Sequence, residues 1–200
     1  MKTILLTSSG LSSNPVRKAF IEVMKDRPKG PVALVTTASP RKEKSPWTQM
    51  AQQEFLDLGF EQVDFVDIKA EPKFDFSPYQ IIFVCGGNTF YLQKYSRLAG
   101  FEATVRMHLA NGGTYMGESA GSIIATPTTR LANTVAPDPN EVKTVNFTGF
   151  KLVPFEIFPH YEKQYEAELQ AYEQEHGVKV ERLTDDQALF ILDDSVIRIG

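Results

Sequence analysis

Short, nearly unbroken apolar runs alternate with amphipathic helical segments through the first half of the chain, and this alternation constrains the fold most. "TILLTS", "PVALVTTA" and "YQIIFVCGGN" are strand-length runs with few polar interruptions. A strand that is apolar on both faces must be covered on both faces. That is the condition of a parallel sheet between two helix layers. Between the runs lie helical patterns. In "SSNPVRKAFIEVMKDR", Asn14 and Pro15 suit an N-cap and a first turn, and Val16, Phe20, Val23 and Met24 share a face. In "KSPWTQMAQQEFLDLGF", Ser45 caps, Pro46 starts, and Gly59 stops the helix. Trp47, Met50, Ala51, Phe55 and Leu58 form its apolar stripe. "EQVDFVDI" alternates like a further strand, and "NTFYLQKYSRLAG" and "FEATVRMHLANGG" read as helices. "TYMGESAGSIIA" reads as strand, corner and helix. The order predicts an α/β fold with a mainly parallel sheet.

The pattern dissolves from Thr126 to Gly149 into Pro, Thr, Asn and Asp. A connection that long is usually functional or mobile. Beyond it, "FKLVPFEIFPHY" predicts a strand and a turn at Pro159. "YEKQYEAELQAYEQE" predicts a helix with Tyr161, Tyr165, Leu169 and Tyr172 on one face. "VKVERLTDDQALFILDDSVIRI" predicts three short strands. A length of 200 residues, 42% of them hydrophobic, fits a single domain over residues 1–200. A net charge of −4 implies no basic face, so no nucleic-acid partner is expected. The one cysteine, Cys85, allows no internal disulfide and fits a reducing compartment. No run approaches the ~18 apolar residues of a membrane helix, and "MKTILLTSSG" reads as a first strand rather than a signal peptide. The expectation is a soluble, cytoplasmic protein.

In an open α/β sheet, ligands bind beyond the carboxyl ends of the strands. Gly86 and Gly87 fall after one strand, Ser119 after another and His160 after a third. The frame "GESAG" matches G-x-S-x-G, in which a serine sits on a strained strand-to-helix turn and small neighbours relieve the crowding. Ser119 is therefore the candidate nucleophile, and Ala120 N–H a candidate oxyanion donor. A serine hydroxyl needs a base. His108 lies among apolar helix positions and reads as structural. His176 ends a helix. His160, downstream of the serine in "EIFPHYEK", is the candidate base. The imidazole in turn needs an orienting acceptor. Asp185 in "RLTDDQALFI" is the first choice, followed by Asp186 and then Glu156. Gly87 N–H is the second oxyanion candidate, because glycines let a backbone approach a substrate closely. Asn88 is placed to cap the next helix beside the substrate. Cys85, at the end of an apolar strand, reads as buried and inert.

Taken in order, "IIFVCGGNTFYL", "GESAGS", "PTTR", "FPHY" and "LTDDQAL" resemble the landmarks of peptidase family S51, the family of dipeptidase E (alpha-aspartyl dipeptidase) and cyanophycinase. The resemblance runs from "ILLTSSG" nearly to the end of the chain. It implies a flavodoxin-like, three-layer α/β sandwich similar to class I glutamine amidotransferases, with serine in place of their elbow cysteine. It implies Ser119 as nucleophile, His160 as base, Asp185 as third member, and Gly87 and Ala120 as oxyanion donors. It implies no metal and no organic cofactor. Characterised relatives of this kind cut after aspartate. One departure stands out: Asn133 and Thr134 occupy the place of an Asn-Asp pair whose aspartate has been proposed as the charge-relay residue in such relatives.

The expected function is a serine peptidase-like hydrolase of small peptides, dipeptides with N-terminal aspartate among them, acting as a monomer or homodimer. Glu118 adds a charge beside the nucleophile that would repel an acidic substrate or bind an α-amino group. Arg130 is the candidate for pairing with a substrate carboxylate, since a guanidinium matches that geometry in two bonds. The alternatives are an amidase or esterase using the same residues on a non-peptide substrate, and a binding protein on a decayed scaffold.

Overall fold

The computed structural model describes residues 2–200. Strands β1 (Thr3–Thr7), β2 (Val32–Val35), β3 (Val63–Val66), β4 (Ile81–Val84) and β5 (Thr114–Glu118) run parallel. Two C-terminal strands, β8 (Ala188–Leu192) and β9 (Ser195–Ile199), extend the sheet antiparallel beside β1. The strand order is β3-β2-β4-β5-β1-β8-β9. A second, two-stranded parallel sheet pairs β6 (Glu156–Phe158) with β7 (Val180–Arg182).

The apolar runs are buried on both faces, as their composition requires. Side chains alternate across a strand, so each run feeds two cores. Ile4, Leu6, Ala33, Val35, Ile82 and Val84 face one. Leu5, Val32, Leu34, Ile81 and Phe83 face the other. Helices α1 (Asn14–Met24) and α2 (Pro46–Asp57) cover the second core through Phe20 and Phe55. Helices α3 (Thr89–Ala99), α4 (Phe101–Ala110) and α5 (Ala120–Ile124) cover the first. The result is an α/β sandwich of three layers. A third cluster packs α6 (Glu166–His176) through Leu169 and Tyr172 onto Phe158 and Val180.

Two local expectations are corrected. The N-cap of α1 is Ser13, not Asn14; Ser13 keeps the extended backbone of a cap, and its side chain accepts from Val16 N–H. In α2 the apolar stripe is turned. Thr48, Ala51, Glu54 and Phe55 are buried, whereas Trp47 is 69% exposed and Met50 also stands open. The helix therefore presents its second apolar edge away from the core.

That turn buries a carboxyl group. Loss of solvent pushes Glu54 from 4.5 up to about 7, against the pull of Arg17. A raised acid contributes stability below its unfolded value and loses it as pH climbs through the folded value. Glu54→Gln is therefore expected to stabilise the protein by less than about 1 kcal/mol at pH 5 and by about 3 kcal/mol at pH 8. Chemical denaturation at the two pH values checks this; a gain that does not change with pH would contradict it.

Candidate active site

The carboxyl ends of β1, β4 and β5 open onto one crevice, and each delivers a chemical group. β5 runs into Ser119, which has φ 49° and ψ −110°. This is a strained backbone for a residue with a side chain, and it converts strand to helix within one residue. The flanking glycines make the corner possible. A Cβ on Gly117 would lie 2.5 Å from the Gly121 carbonyl oxygen, and one on Gly121 would lie 2.1 Å from that of Val84. Ser122 ties the corner to β1. Its Oγ accepts from Thr7 N–H at 2.9 Å and faces the carbonyl oxygens of Thr7 and Gly117 at 2.7 and 2.8 Å.

His160 follows β6, also at positive φ (54°). Its backbone N–H donates to Ser8 Oγ at 2.6 Å. Its Nε2 lies 3.0 Å from Ser119 Oγ, and its Nδ1 lies 2.6 Å from Asp185 Oδ1. The same Asp185 oxygen accepts from Ser8 Oγ at 2.9 Å and Ser9 Oγ at 2.8 Å. Burial pushes the Asp185 carboxyl up, but the donors on Ser9, His160 and Ser8 outweigh it and hold the group below the usual aspartate range. An anionic Asp185 accepts from Nδ1–H. The Nε2 lone pair is then left facing the serine hydroxyl. Such an arrangement can draw the hydroxyl proton onto Nε2 as the oxygen attacks.

Of the three carboxylates weighed as acceptor, only Asp185 meets the imidazole. Asp186 Oδ1 instead accepts from Thr184 Oγ1. Glu156 is buried at the start of β6, where its Oε2 accepts from Tyr172 OH at 2.8 Å. Thr134 turns its hydroxyl toward the Leu131 carbonyl oxygen at 3.2 Å. Ser8 and Ser9 were not expected. The signal for them was "LTSSG" itself, two serines just past the carboxyl end of a buried strand.

The other candidates divide. Gly87 has φ 137°, and a Cβ there would lie 2.3 Å from the Ala38 carbonyl oxygen, so only glycine fits. Ala120 opens α5, where first-turn N–H groups have no intrahelical acceptor. Glu118 accepts from Gly86 N–H at 3.1 Å. Burial pushes its carboxyl above the ordinary range, opposed by Gly86 N–H and by His160. Asn88 caps α3 by accepting from Tyr91 N–H, and its amide donates to the Pro139 carbonyl at 2.8 Å. Both of its polar ends are engaged, so it positions the chain and does not line the crevice. Arg130 is exposed and lines neither cavity at Ser119. Cys85 is buried, and burial raises its thiol well above the normal value. His108 is buried with Nε2 3.1 Å from the Thr114 carbonyl oxygen.

Two cavities meet at Ser119 and His160. The larger, about 760 Å³, is lined by Trp47, Met50, Gly86 and Glu118 among others. The smaller, about 140 Å³, is walled by Leu131, Ala132, Val135 and Asp138 of the long patternless segment. Asp138 pins that segment by accepting from Thr89 N–H at 2.8 Å. Among the described residues no group of three or more His, Cys, Asp or Glu side chains is arranged to hold a metal ion. No described helix is long and apolar enough to cross a membrane.

The model of peptidase family S51 matches residues 4–199. The chain belongs to peptidase family S51. An uncharacterized peptidase of Listeria monocytogenes is 28% identical over 80% of this chain and 78% of its own length. Peptidase E of a Nostoc species is 29% identical over 65% of this chain and 52% of its own. Peptidase E of Salmonella newport is 40% identical over 46% of this chain and 38% of its own. A crystal structure of a candidate Peptidase E from Listeria monocytogenes superposes with a TM-score of 0.82 at 26% identity, covering 99% of this chain and 98% of that one. Family S51 membership makes the chain a serine-type peptidase and a hydrolase of small peptides, and the neighbour shares the α/β sandwich.

Proposed function

We propose that the chain hydrolyses short unblocked peptides through a Ser119–His160–Asp185 triad. The continuous contact from Ser119 Oγ through the imidazole to Asp185, at 3.0 and 2.6 Å, carries this reading. Ser119 Oγ attacks the scissile carbonyl while His160 Nε2 takes its proton. Gly87 and Ala120 N–H groups receive the charge that develops on the carbonyl oxygen. The imidazolium, steadied by Asp185, gives the proton to the departing amine. A water then repeats the sequence on the acyl-enzyme and frees the acid. The segment over 126–149 narrows one side of the crevice, which favours short chains.

The test is release of free amine from a panel of dipeptides, set against p-nitrophenyl esters and simple primary amides. Turnover of dipeptides at kcat/KM well above that of the amides is expected. Turnover of esters or amides with dipeptides untouched would replace the peptidase reading with an esterase or amidase one.

A further inference from the structure

The larger cavity is acidic. Its lining holds two carboxylates, Glu118 and Asp185, and neither a lysine nor an arginine. It also holds the side chains that α2 turns away from the core, Trp47 at 69% exposure and Met50 at 37%. A tryptophan left this open is an unmet apolar surface beside a nucleophile. We propose, resting on the peptidase reading above, that this cavity takes the N-terminal residue of the substrate: Trp47 and Met50 receive a large apolar side chain, and Glu118 meets its α-ammonium.

The assignment of sides follows from charge together with size. An unblocked dipeptide carries one cation, the ammonium of its first residue, and one anion, the carboxylate of its second. Neither cavity is lined by lysine or arginine; the larger, about 760 Å³ with two carboxylates and the open indole, suits a bulky first residue, whereas the smaller, about 140 Å³, holds one carboxylate, Asp138, already accepting from Thr89 N–H. The smaller cavity is walled by Leu131 and Ala132, from the same short helical turn that begins at Arg130. An ammonium would also supply Glu118 with the counter-charge it lacks, since burial disfavours its anion and only Gly86 N–H and His160 oppose that. An aspartate side chain in this cavity would meet two carboxylates and no lysine or arginine, and would leave the indole surface wet. Aspartate is therefore the disfavoured first residue in this chain.

The experiment compares kcat/KM for Phe-Ala, Leu-Ala, Asp-Ala and N-acetyl-Phe-Ala in the wild type, Trp47→Ala, Trp47→Phe and Glu118→Gln. Every preparation is titrated with a fluorophosphonate and sedimented. The wild type is expected to prefer Phe-Ala to Asp-Ala by at least ~30-fold. Trp47→Ala is expected to lower Phe-Ala turnover ~10-fold or more, leave Asp-Ala within ~3-fold, and be largely restored in Trp47→Phe. Glu118→Gln is expected to shrink the advantage of the free amine over the acetylated one. A preference for Asp-Ala overturns the inference. So does an equal loss on all substrates in Trp47→Ala, or a loss of self-association with selectivity unchanged, which would make the indole a contact between copies. In each of those cases Ser119 still labels and dipeptides still turn over. Absence of both labelling and turnover would overturn the peptidase reading itself.

Discussion

Asp185→Asn is expected to lower kcat on the order of 10³- to 10⁴-fold, with the protein still folded. The aspartate does not touch substrate. It accepts from Nδ1–H at 2.6 Å and so fixes which nitrogen faces Ser119. An amide in its place can turn its NH₂ toward the ring. Nδ1 would then accept, the proton would move to Nε2, and the base would be lost. The three donors on Asp185 Oδ1 would also lose an anionic acceptor. Asp186→Asn is the paired control, with turnover within about twofold. Its contact is to Thr184, in the same turn but away from the imidazole. Comparable small losses in the two variants, measured as kcat on one dipeptide, would remove Asp185 from the mechanism.

The second large effect is on stability. Gly121→Ala is expected to lower Tm by about 10 °C, equivalent to roughly 3 kcal/mol or more. The added methyl would sit 2.1 Å from the Val84 carbonyl oxygen. Both partners are backbone, one in α5 and one at the end of β4, so neither can swing aside. Relief requires the elbow to lift off the sheet, which would carry Ser119 away from His160. Gly112→Ala is the comparison. A Cβ there meets nothing within 4 Å, and only its φ of 85° disfavours a side chain. Its cost is expected near 1 kcal/mol. Thermal unfolding of the two variants checks the contrast. A Tm for Gly121→Ala no lower than for Gly112→Ala would contradict the close packing of the elbow.

Much of this site was legible in the sequence, for a specific reason. A strand apolar on both faces announces a covered parallel sheet, and a parallel sheet fixes which ends face ligand. Ser119 follows from that rule with little else, because it stands just past β5; His160 also stands just past a strand, but β6 belongs to the separate two-stranded sheet, so the rule for the main sheet does not by itself place it. Asp185 ranked ahead of Asp186 and Glu156 in the sequence, but strand position alone does not separate it from Asp186. Asp185 and Asp186 are neighbours in one turn, and no periodicity says which of two adjacent carboxylates points inward. The ties from Ser8, Ser9 and Ser122 were hidden for a related reason: a hydroxyl near a strand end is as common in a turn as in a network. α2 shows the limit most clearly. Helical spacing identifies apolar positions but not which apolar edge meets the core. Trp47 and Met50 read as core and instead face the crevice, while Glu54 is buried in the sandwich.

The claim on which the rest depends is that Ser119 is an activated nucleophile. Intact-mass analysis after treatment with a fluorophosphonate tests it directly, on the wild type and on Ser119→Ala. One adduct per wild-type chain and none on the variant is the expected result. No adduct on folded wild-type protein, or an adduct that persists in Ser119→Ala, would contradict the account.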